Sequence, residues 1–298
     1  MYDTMNSMKI SIGILSWNRL DILRQTLNSY KDNRLFDLSD DITIFFQEIG
    51  KNEISLAKEF GIKYIGNSEN VGIQEGYKAL VNNAKNKYFL FLENDWFLIE
   101  KFEVVQKRIL AGISILNNNI ANVVRYRHRG LPGYPCTVVT KNRGRPPGKI
   151  SKKNLSCIPM IDENLCQFFP EIEKINLYFE NYYLLSAKNV VWTNNPCLFI
   201  TDFIKNIINI NFDTPSVCKI NKKYNVPYKK ISLEGDLSSY WSKTDFVSAC
   251  SPGLFTHLDY LESNLNRKKY NNTLVKVIAS FIPNTVKRKA FRAKYSRV

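Results

Sequence analysis

The sequence of 298 residues is 44% hydrophobic and 23% charged. These fractions lie near the globular average and exclude a disordered chain or a fibrous repeat. No apolar run approaches the roughly 18 to 20 residues that span a bilayer, and the first residues lack a secretory leader pattern, so we expect a cytoplasmic location. The six cysteines contain no C-x-x-C pair, which excludes a zinc ribbon or a redox motif of that type.

The net charge of +15 is concentrated in two stretches of the chain. Ten Lys and Arg residues and no acidic residue lie between positions 264 and 298, and nine more lie between positions 125 and 153, again without an acid. The rest of the chain is mildly acidic. We therefore expect a folded acidic body with two basic attachments and no nucleic-acid partner.

Short apolar runs alternate with amphipathic segments over the first 120 residues. Strands are predicted at 9–16, 41–46, 63–65 and 87–92, and helices at 20–30, 54–60 and 73–82. This alternation is typical of βα units, which build a parallel sheet with helices on both faces.

The pattern changes after residue 129. Gly- and Pro-rich segments predict a basic loop, which could act as a lid or be merely solvated. Helices are predicted next at 200–210 and 233–242, and a strand at 246–249. Apolar residues between 274 and 282, followed by Lys and Arg, predict an amphipathic helical tail.

Polar residues follow three of the predicted strands at the point where each strand ends. They are Ser16-Trp17-Asn18-Arg19, Gln47-Glu48 and Glu93-Asn94-Asp95. Each segment alone is more typical of a solvated loop. Ligands of open α/β sheets bind outside the carboxyl ends of the strands, so the convergence of all three on one edge favours a binding site. The acidic pair in the third segment suits a divalent cation, which is commonly held by carboxylate and phosphate oxygens.

Three segments resemble glycosyltransferase family 2 in their order and separation. Residues 10–21 resemble its opening strand and turn, residues 70–79 its N-x-G stretch, and residues 87–95 the strand that ends in its D-x-D metal motif. The resemblance implies an α/β fold of the GT-A type. This is a Rossmann-like, mostly parallel central sheet flanked by helices, followed here by a helical basic tail.

The same resemblance implies an enzyme, a metal-dependent inverting glycosyltransferase. Its donor would be a nucleotide-diphosphate sugar, most typically a UDP-sugar, and its acceptor a glycan, a lipid-linked molecule or a protein. The GT-A domain would cover residues 1–262, with a nucleotide-sugar-binding half (1–120) and an acceptor half (121–262) that carries the basic loop (129–153). Residues 263–298 would form the basic amphipathic tail.

The family's functional positions are carried onto the residues that match its motifs. The resemblance implies that the donor is bound by Ser16, Asn18, Glu48, Asn70, Gly72, Glu93 and Asn94. It also implies that Asp95 and a late histidine, His257, hold Mn²⁺ or Mg²⁺. Glu48 and Glu93 depart from the family, in which Asp is more frequent at both positions. Residues 233–241 resemble the acidic segment of the acceptor side, with Glu234 as the catalytic base and Asp236 as the alternative.

Several alternatives stay open. The basic tail with its interleaved aromatic residues is compatible with a nucleic-acid-binding protein, and the sheet with a nucleotidyltransferase, although residues 11–20 lack a Gly-rich phosphate loop. The tail is either an anchor on an anionic membrane surface or a helix packed on the catalytic domain. Trp192 is either an acceptor platform or, preferably, a core residue. His128 could lie at the surface.

Overall fold

The computed structural model describes residues 10–131, 172–190, 192–210, 217–221, 226–230 and 233–258. Between residues 217 and 236 it describes only the backbone of these ranges. The predicted basic loop, apart from its first three residues, and the predicted tail lie outside the described residues. The domain boundaries at 120 and 262 stay predictions.

Within these ranges the chain forms a ten-stranded sheet, a separate two-stranded hairpin and helices that pack on the sheet. In chain order the strands are β1 (Ile10–Trp17), β2 (Asp41–Gln47), β3 (Lys63–Gly66), β4 (Tyr88–Glu93), β5 (Trp96–Leu98), β6 (Val123–Arg127), β7 (Glu173–Leu177), β8 (Glu180–Ser186), β9 (Cys197–Ile200), β10 (Val217–Asn221), β11 (Val226–Lys230) and β12 (Val247–His257). The α-helices are α1 (Leu20–Asp32), α2 (Lys51–Glu59), α3 (Ile73–Asn83), α4 (Phe102–Asn117), α5 (Thr201–Ile208) and α6 (Leu233–Trp241), with a 3₁₀ turn at Leu35–Leu38. None of the described helices combines the length and the apolar character that crossing a membrane requires.

The sheet is mixed, in the order β3-β2-β1-β4-β9-β6-β12-β8-β7, with β5 paired to the end of β12. The first four strands are parallel, as predicted. In the second half only β6 and β12 are parallel among the described pairs, while β9 runs antiparallel between β4 and β6, and β7 and β8 form an antiparallel hairpin. The prediction of a mostly parallel sheet is therefore corrected. A turn as short as that between β7 and β8 can join only antiparallel strands.

The predicted elements agree closely with the observed ones. Every strand and helix predicted in the first 120 residues is present within three residues of its predicted bounds, and the helices predicted at 200–210 and 233–242 are α5 and α6. The strand predicted at 246–249 is the longer β12, which extends to His257. Helix α4 and strands β5 and β7 to β11 were not predicted.

Two apolar cores lie on the two faces of the sheet, because successive side chains of a strand point to opposite faces. In β4, Leu90 and Leu92 face the core that α1, α2 and α4 cover. Phe89 and Phe91 face the core that α3, α5 and α6 cover. Helices thus cover both faces, as the βα alternation predicts.

A break in β12 redirects its last three residues. The pairing with β6 shifts register between Cys250 and Phe255, and residues 255–257 then pair with β5 instead of β8. Gly253 lies in this break with φ +99, and a Cβ there would lie 2.1 Å from the Cα of His128. Only glycine fits this position, because it combines a positive φ with a close backbone approach.

Arg108 of α4 ties the break in β12 to its surroundings. Its buried guanidinium donates to the carbonyl oxygen of Gly253 and forms ion pairs with Glu100 (2.8 Å) and Glu180 (2.9 Å). His128 joins this cluster, since its Nε2 lies 3.0 Å from the Glu100 carboxylate, and is therefore held in place rather than free at the surface. The two carboxylates compensate the buried charge of Arg108. Arg108 is therefore held where it binds the carbonyl of Gly253, and this contact fixes the course of β12 at the break.

The turn between β7 and β8 carries two aromatic residues in an unfavourable backbone conformation. Tyr178 has φ 51 and Phe179 has φ 64, and Phe179 is 99% exposed. Two-residue hairpin turns with two positive φ values favour Asn-Gly, because bulky L-residues are strained there.

Replacing Tyr178 by Asn and Phe179 by Gly together should stabilise the protein by about 1 to 2 kcal/mol, since left-handed backbone costs a bulky residue about that much. The urea midpoint should rise at an unchanged m value. The control pair Tyr178→Ala with Phe179→Ala removes the same rings but keeps the strained Cβ atoms, and should recover less. Equal urea midpoints for the two double variants would show that removal of the aromatic rings, and not relief of backbone strain, stabilises the protein.

Candidate functional site

The carboxyl ends of β1, β2, β4 and β12 lie at one edge of the sheet. The first three strands are parallel, and the antiparallel β9 between β4 and β6 gives β6 and β12 the same direction as β4. The three polar segments predicted at strand ends therefore lie along this edge, and His257 joins them as the last residue of β12. We call this the candidate site edge.

The turn after β1 is held against the end of β4 by Asn94. Asn18 and Arg19 both have left-handed backbone, with φ 52 and 59. The buried Asn94 side chain donates to the backbone carbonyl oxygen of Asn18 (3.1 Å), and the backbone carbonyl of Asn94 accepts from the Thr26 hydroxyl (2.9 Å). Asn94 thus has a structural role in this turn, while the Asn18 side chain is exposed at the edge.

Asp95 is the buried acid of the candidate site edge. Its Oδ2 lies 2.7 Å from Nη2 of Arg19 and 3.3 Å from Nε2 of His257. Its Oδ1 is buried and has no hydrogen-bond partner within the described part of the chain. Asp95 and His257, which were both predicted to bind metal, are therefore adjacent although they lie far apart in the sequence.

His257 is held beside Asp95 by its strand pairing and by a ring contact. It pairs with Trp96 across β12 and β5, and the two rings meet edge to face at 4.9 Å. The Arg127 guanidinium lies over the same Trp96 ring at 5.1 Å. The second ring nitrogen of His257, Nδ1, is buried without a partner among the residues that the structure describes.

The carboxyl of Asp95 keeps its charge despite its burial. Burial alone would raise its pKa, but the hydrogen bond and charge of His257 and the guanidinium of Arg19 together hold the pKa below its ordinary value. A carboxyl with a lowered pKa is fully ionised at neutral pH.

The donor set of Asp95 and His257 fits a divalent cation that also takes ligands from a substrate. Oδ1 of Asp95 has no hydrogen-bond partner among the described residues, and the His257 imidazole faces Oδ2 of the same carboxylate. Together they offer the oxygen and nitrogen ligands that Mn²⁺ accepts. In the described ranges no group of three or more His, Cys, Asp or Glu side chains could hold a metal. Such an ion would depend on further ligands, and phosphate oxygens commonly supply them.

Ser16 and Glu48 lie at the ends of β1 and β2. The Ser16 side chain is buried, and its hydroxyl has no partner within the described residues. Glu48 has a left-handed backbone (φ 59) that turns it out of β2, and its exposed carboxylate accepts a hydrogen bond from the Trp17 indole (3.2 Å). A carboxylate at this exposed position could accept hydrogen bonds from a nucleoside.

The Asn70 to Gly72 segment forms a fixed turn before α3. The Asn70 side chain accepts from the Gly72 amide (2.9 Å), and Gly72 has φ +88, with no atom of the described residues within 4 Å of the position that a Cβ would take. Gln47 anchors the turn, because its buried amide accepts from Val71 (2.9 Å) and donates to the carbonyl of Gly72 (2.7 Å). The anchoring role of Gln47 was not predicted. The signal that could have indicated it is an amide side chain at the end of an apolar strand, directly before the acidic Glu48.

Glu93 does not join the pair of Asp95 and His257 in a three-ligand group within the described residues. It ends β4 on the side of α3, where burial above all, and the charge of Glu93 in addition, raises the pKa of Tyr77. Its predicted contact with the donor stays a prediction.

The two candidate base residues, Glu234 and Asp236, lie in the first turns of α6, and their side chains are outside those that the structure describes. The later residues Leu237 and Trp241 are fully buried. Trp192 is also buried, and its ring stacks on Phe199 at 5.7 Å, so the preferred interpretation of Trp192 as a core residue is confirmed.

No protein-family model matches the chain, and no curated protein matches it. Among solved structures, TarS 1-349 from S. aureus is 11% identical, with 97% of this chain and 69% of that chain covered and a TM-score of 0.46. Glucosyl-3-phosphoglycerate synthase from Mycobacterium tuberculosis with UDP is 15% identical, with 43% and 47% covered and a TM-score of 0.34.

The mannosyltransferase PcManGT from Pyrobaculum calidifontis, in complex with GDP-Man and Mn²⁺, is 5% identical, with 87% of this chain and 60% of that chain covered and a TM-score of 0.48. This chain thus spans less than two thirds of the synthase and of the mannosyltransferase. These matches include a mannosyltransferase.

Proposed function

We propose that the protein is a GT-A type glycosyltransferase that moves a sugar from a nucleotide-diphosphate sugar to an acceptor hydroxyl with inversion at the anomeric carbon. The observation that carries the proposal is the buried, ionised Asp95 with His257 beside it, at the carboxyl edge of the parallel strands. A UDP-sugar is the proposed donor, and a glycan, a lipid-linked molecule or a protein the acceptor.

Asp95 and His257 would hold Mn²⁺ or Mg²⁺ together with phosphate oxygens of the donor. When bound, the ion would neutralise the charge that develops on the diphosphate leaving group. The chain's own contribution is to keep the Asp95 carboxylate ionised within a buried edge, where its attraction for a cation is screened less than in water.

The nucleoside would lie along the ends of β1 and β2. In the proposal the Ser16 hydroxyl, which has no partner among the described residues, donates or accepts a hydrogen bond there, and the exposed carboxylate of Glu48 accepts one. The open backbone around Gly72 would allow the donor to approach the turn before α3 closely. Asn70 and Gln47 would hold this turn in shape.

Transfer would require a base for the acceptor hydroxyl. In the proposal Glu234, or alternatively Asp236, accepts the hydroxyl proton while the oxygen bonds to the anomeric carbon on the face opposite the diphosphate. The bond between the anomeric carbon and the diphosphate oxygen breaks as the new bond forms, and the nucleoside diphosphate leaves with the electron pair. Burial of Leu237 and Trp241 would give the first turns of α6 a rigid support.

The basic tail (263–298) would bring the protein to an anionic membrane surface that carries a lipid-linked acceptor. Its apolar residues between 274 and 282 precede the last cluster of Lys and Arg, a pattern typical of interfacial helices. Each basic residue near such a surface contributes about 1 kcal/mol, so binding would be reversible.

Asp95→Asn should remove cation-dependent donor binding while the protein stays folded. In the wild type, UDP with Mn²⁺ should raise the melting temperature more than UDP alone, because a ligand that binds the native state stabilises it by mass action. The extra increase should vanish in the variant. The matched control is Asp245→Asn, an exposed acid ahead of β12 that pairs with Lys188. A full Mn²⁺-dependent increase in Asp95→Asn would contradict the proposed metal site.

Glu234→Gln should lower kcat by roughly a hundredfold or more and leave donor binding nearly unchanged, which is the scale of general-base catalysis. Ser239→Ala, on an exposed position of the same helix, serves as the control. If Asp236→Asn is the damaging change instead, Asp236 is the base. Wild-type kcat in both acid variants would reject a carboxylate base on α6.

Truncation after Asn272 should abolish sedimentation with anionic vesicles, and high salt should weaken the binding of the full chain by screening. With neutral vesicles, little of either the full chain or the truncated chain should sediment. Equal sedimentation of the two forms with anionic vesicles would exclude the tail as a membrane anchor.

A further inference from the structure

Arg19 forms an ion pair with Asp95 at the proposed cation site. Its guanidinium lies 2.7 Å from Oδ2 of Asp95, the same oxygen that faces His257. The Arg19 side chain is 35% exposed, whereas that of Asp95 is 8% exposed. The guanidinium is thus the more exposed member of an ion pair whose carboxylate is buried.

The backbone directs Arg19 toward Asp95. Its left-handed conformation (φ 59, ψ 46) is uncommon for a residue with a Cβ. Its carbonyl oxygen accepts from Ile22 (3.0 Å) and Leu23 (3.1 Å) in the first turn of α1, while Asn94 holds the preceding residue against β4. The left-handed conformation of Arg19 is therefore held by α1 on one side and, through Asn18 and Asn94, by the end of β4 on the other.

A guanidinium is chemically suited to both partners that the site would offer in turn. It remains protonated at all physiological pH values, so it can act as the counterion of a buried carboxylate when no metal is present. Its planar donors also match phosphate oxygens, which frequently accept two of them at once. An inorganic cation at Asp95 would repel the guanidinium and free it for an anion nearby.

We infer that Arg19 is an exchangeable counterion of Asp95, which moves to the diphosphate of the donor when the donor and its divalent cation bind. The inference rests on the proposed function of the candidate site edge. Charge balances in the exchange: the cation takes over Asp95, and Arg19 pairs with the diphosphate. Arg19 would therefore oppose binding of the cation alone and favour binding of the nucleotide with the cation.

These two effects have opposite signs, which separates the inference from a purely structural role. If Arg19 only shaped the turn, its loss would weaken cation binding and nucleotide binding alike. If Arg19 exchanges partners, Arg19→Gln removes a competitor for Asp95 and, separately, a ligand of the diphosphate.

The experiment measures Mn²⁺ binding without nucleotide by electron paramagnetic resonance, and UDP binding at saturating Mn²⁺ by calorimetry. Arg19→Gln should bind Mn²⁺ alone more tightly, by about threefold or more, and UDP with Mn²⁺ more weakly, by about tenfold or more, the scale of one lost charged hydrogen bond. Arg24→Gln, one turn later on α1 where Arg24 pairs with Glu59, should match the wild type in both.

Unchanged or weaker Mn²⁺ binding by Arg19→Gln, or unchanged UDP binding, would overturn the inference. A wild-type protein that binds neither Mn²⁺ nor UDP would instead overturn the proposed function. Should Arg19→Gln fail to fold, Arg19→Lys decides: the charge is kept but the planar donors are lost, so Mn²⁺ affinity should stay at the wild-type level and UDP affinity should fall. Wild-type values for both ligands in Arg19→Lys would then reject the exchange.

Discussion

The ionised carboxylate of Asp95 constrains the surrounding structure, because a buried charge is stable only when oppositely charged or hydrogen-bonding groups reach it. Burial raises the pKa of this carboxyl, and His257 and Arg19 more than reverse the effect. One partner ends β12 and the other follows β1, so each depends on a different part of the sheet. The candidate site edge is therefore complete only when both halves of the sheet have assembled.

The position of His257 is determined by residues that do not touch Asp95. Gly253 allows β12 to break, and Arg108 fixes the break by binding the carbonyl of Gly253 together with Glu100 and Glu180. The strand then leaves β8 and pairs with β5, which carries its last residue to the end of β4. A fault in the Arg108 cluster would accordingly impair the site from a distance.

Part of the fold and of the site followed from sequence patterns with local causes. Buried parallel strands are continuous apolar runs, such as residues 88–92, and they were predicted within a residue or two. The strand β5 has only three residues, too few for a periodic pattern to emerge. The mixed order of the second half depends on which distant strands pair, which no local pattern records.

The side chains of the site divide in the same way, into those that a local pattern predicts and those whose contacts depend on distant parts of the chain. Asp95 and His257 were predicted from motif resemblance, while their contact depends on the break in β12. The contact of Arg19 with Asp95 was not predicted, because it depends on a left-handed backbone that sequence gives no reason to expect in an arginine. The acidic pair of Glu93 and Asp95 at the end of β4 was visible in the sequence, and the contact of Glu93 with the donor stays a prediction.

The anomalous difference density of Mn²⁺ in crystals grown with UDP and Mn²⁺ tests the proposed cation site directly. We expect a peak within coordination distance of both the Asp95 carboxylate and the His257 imidazole, with the diphosphate of UDP bound to the same ion. UDP bound elsewhere on the protein, or a Mn²⁺ peak remote from Asp95, would contradict the proposed cation site.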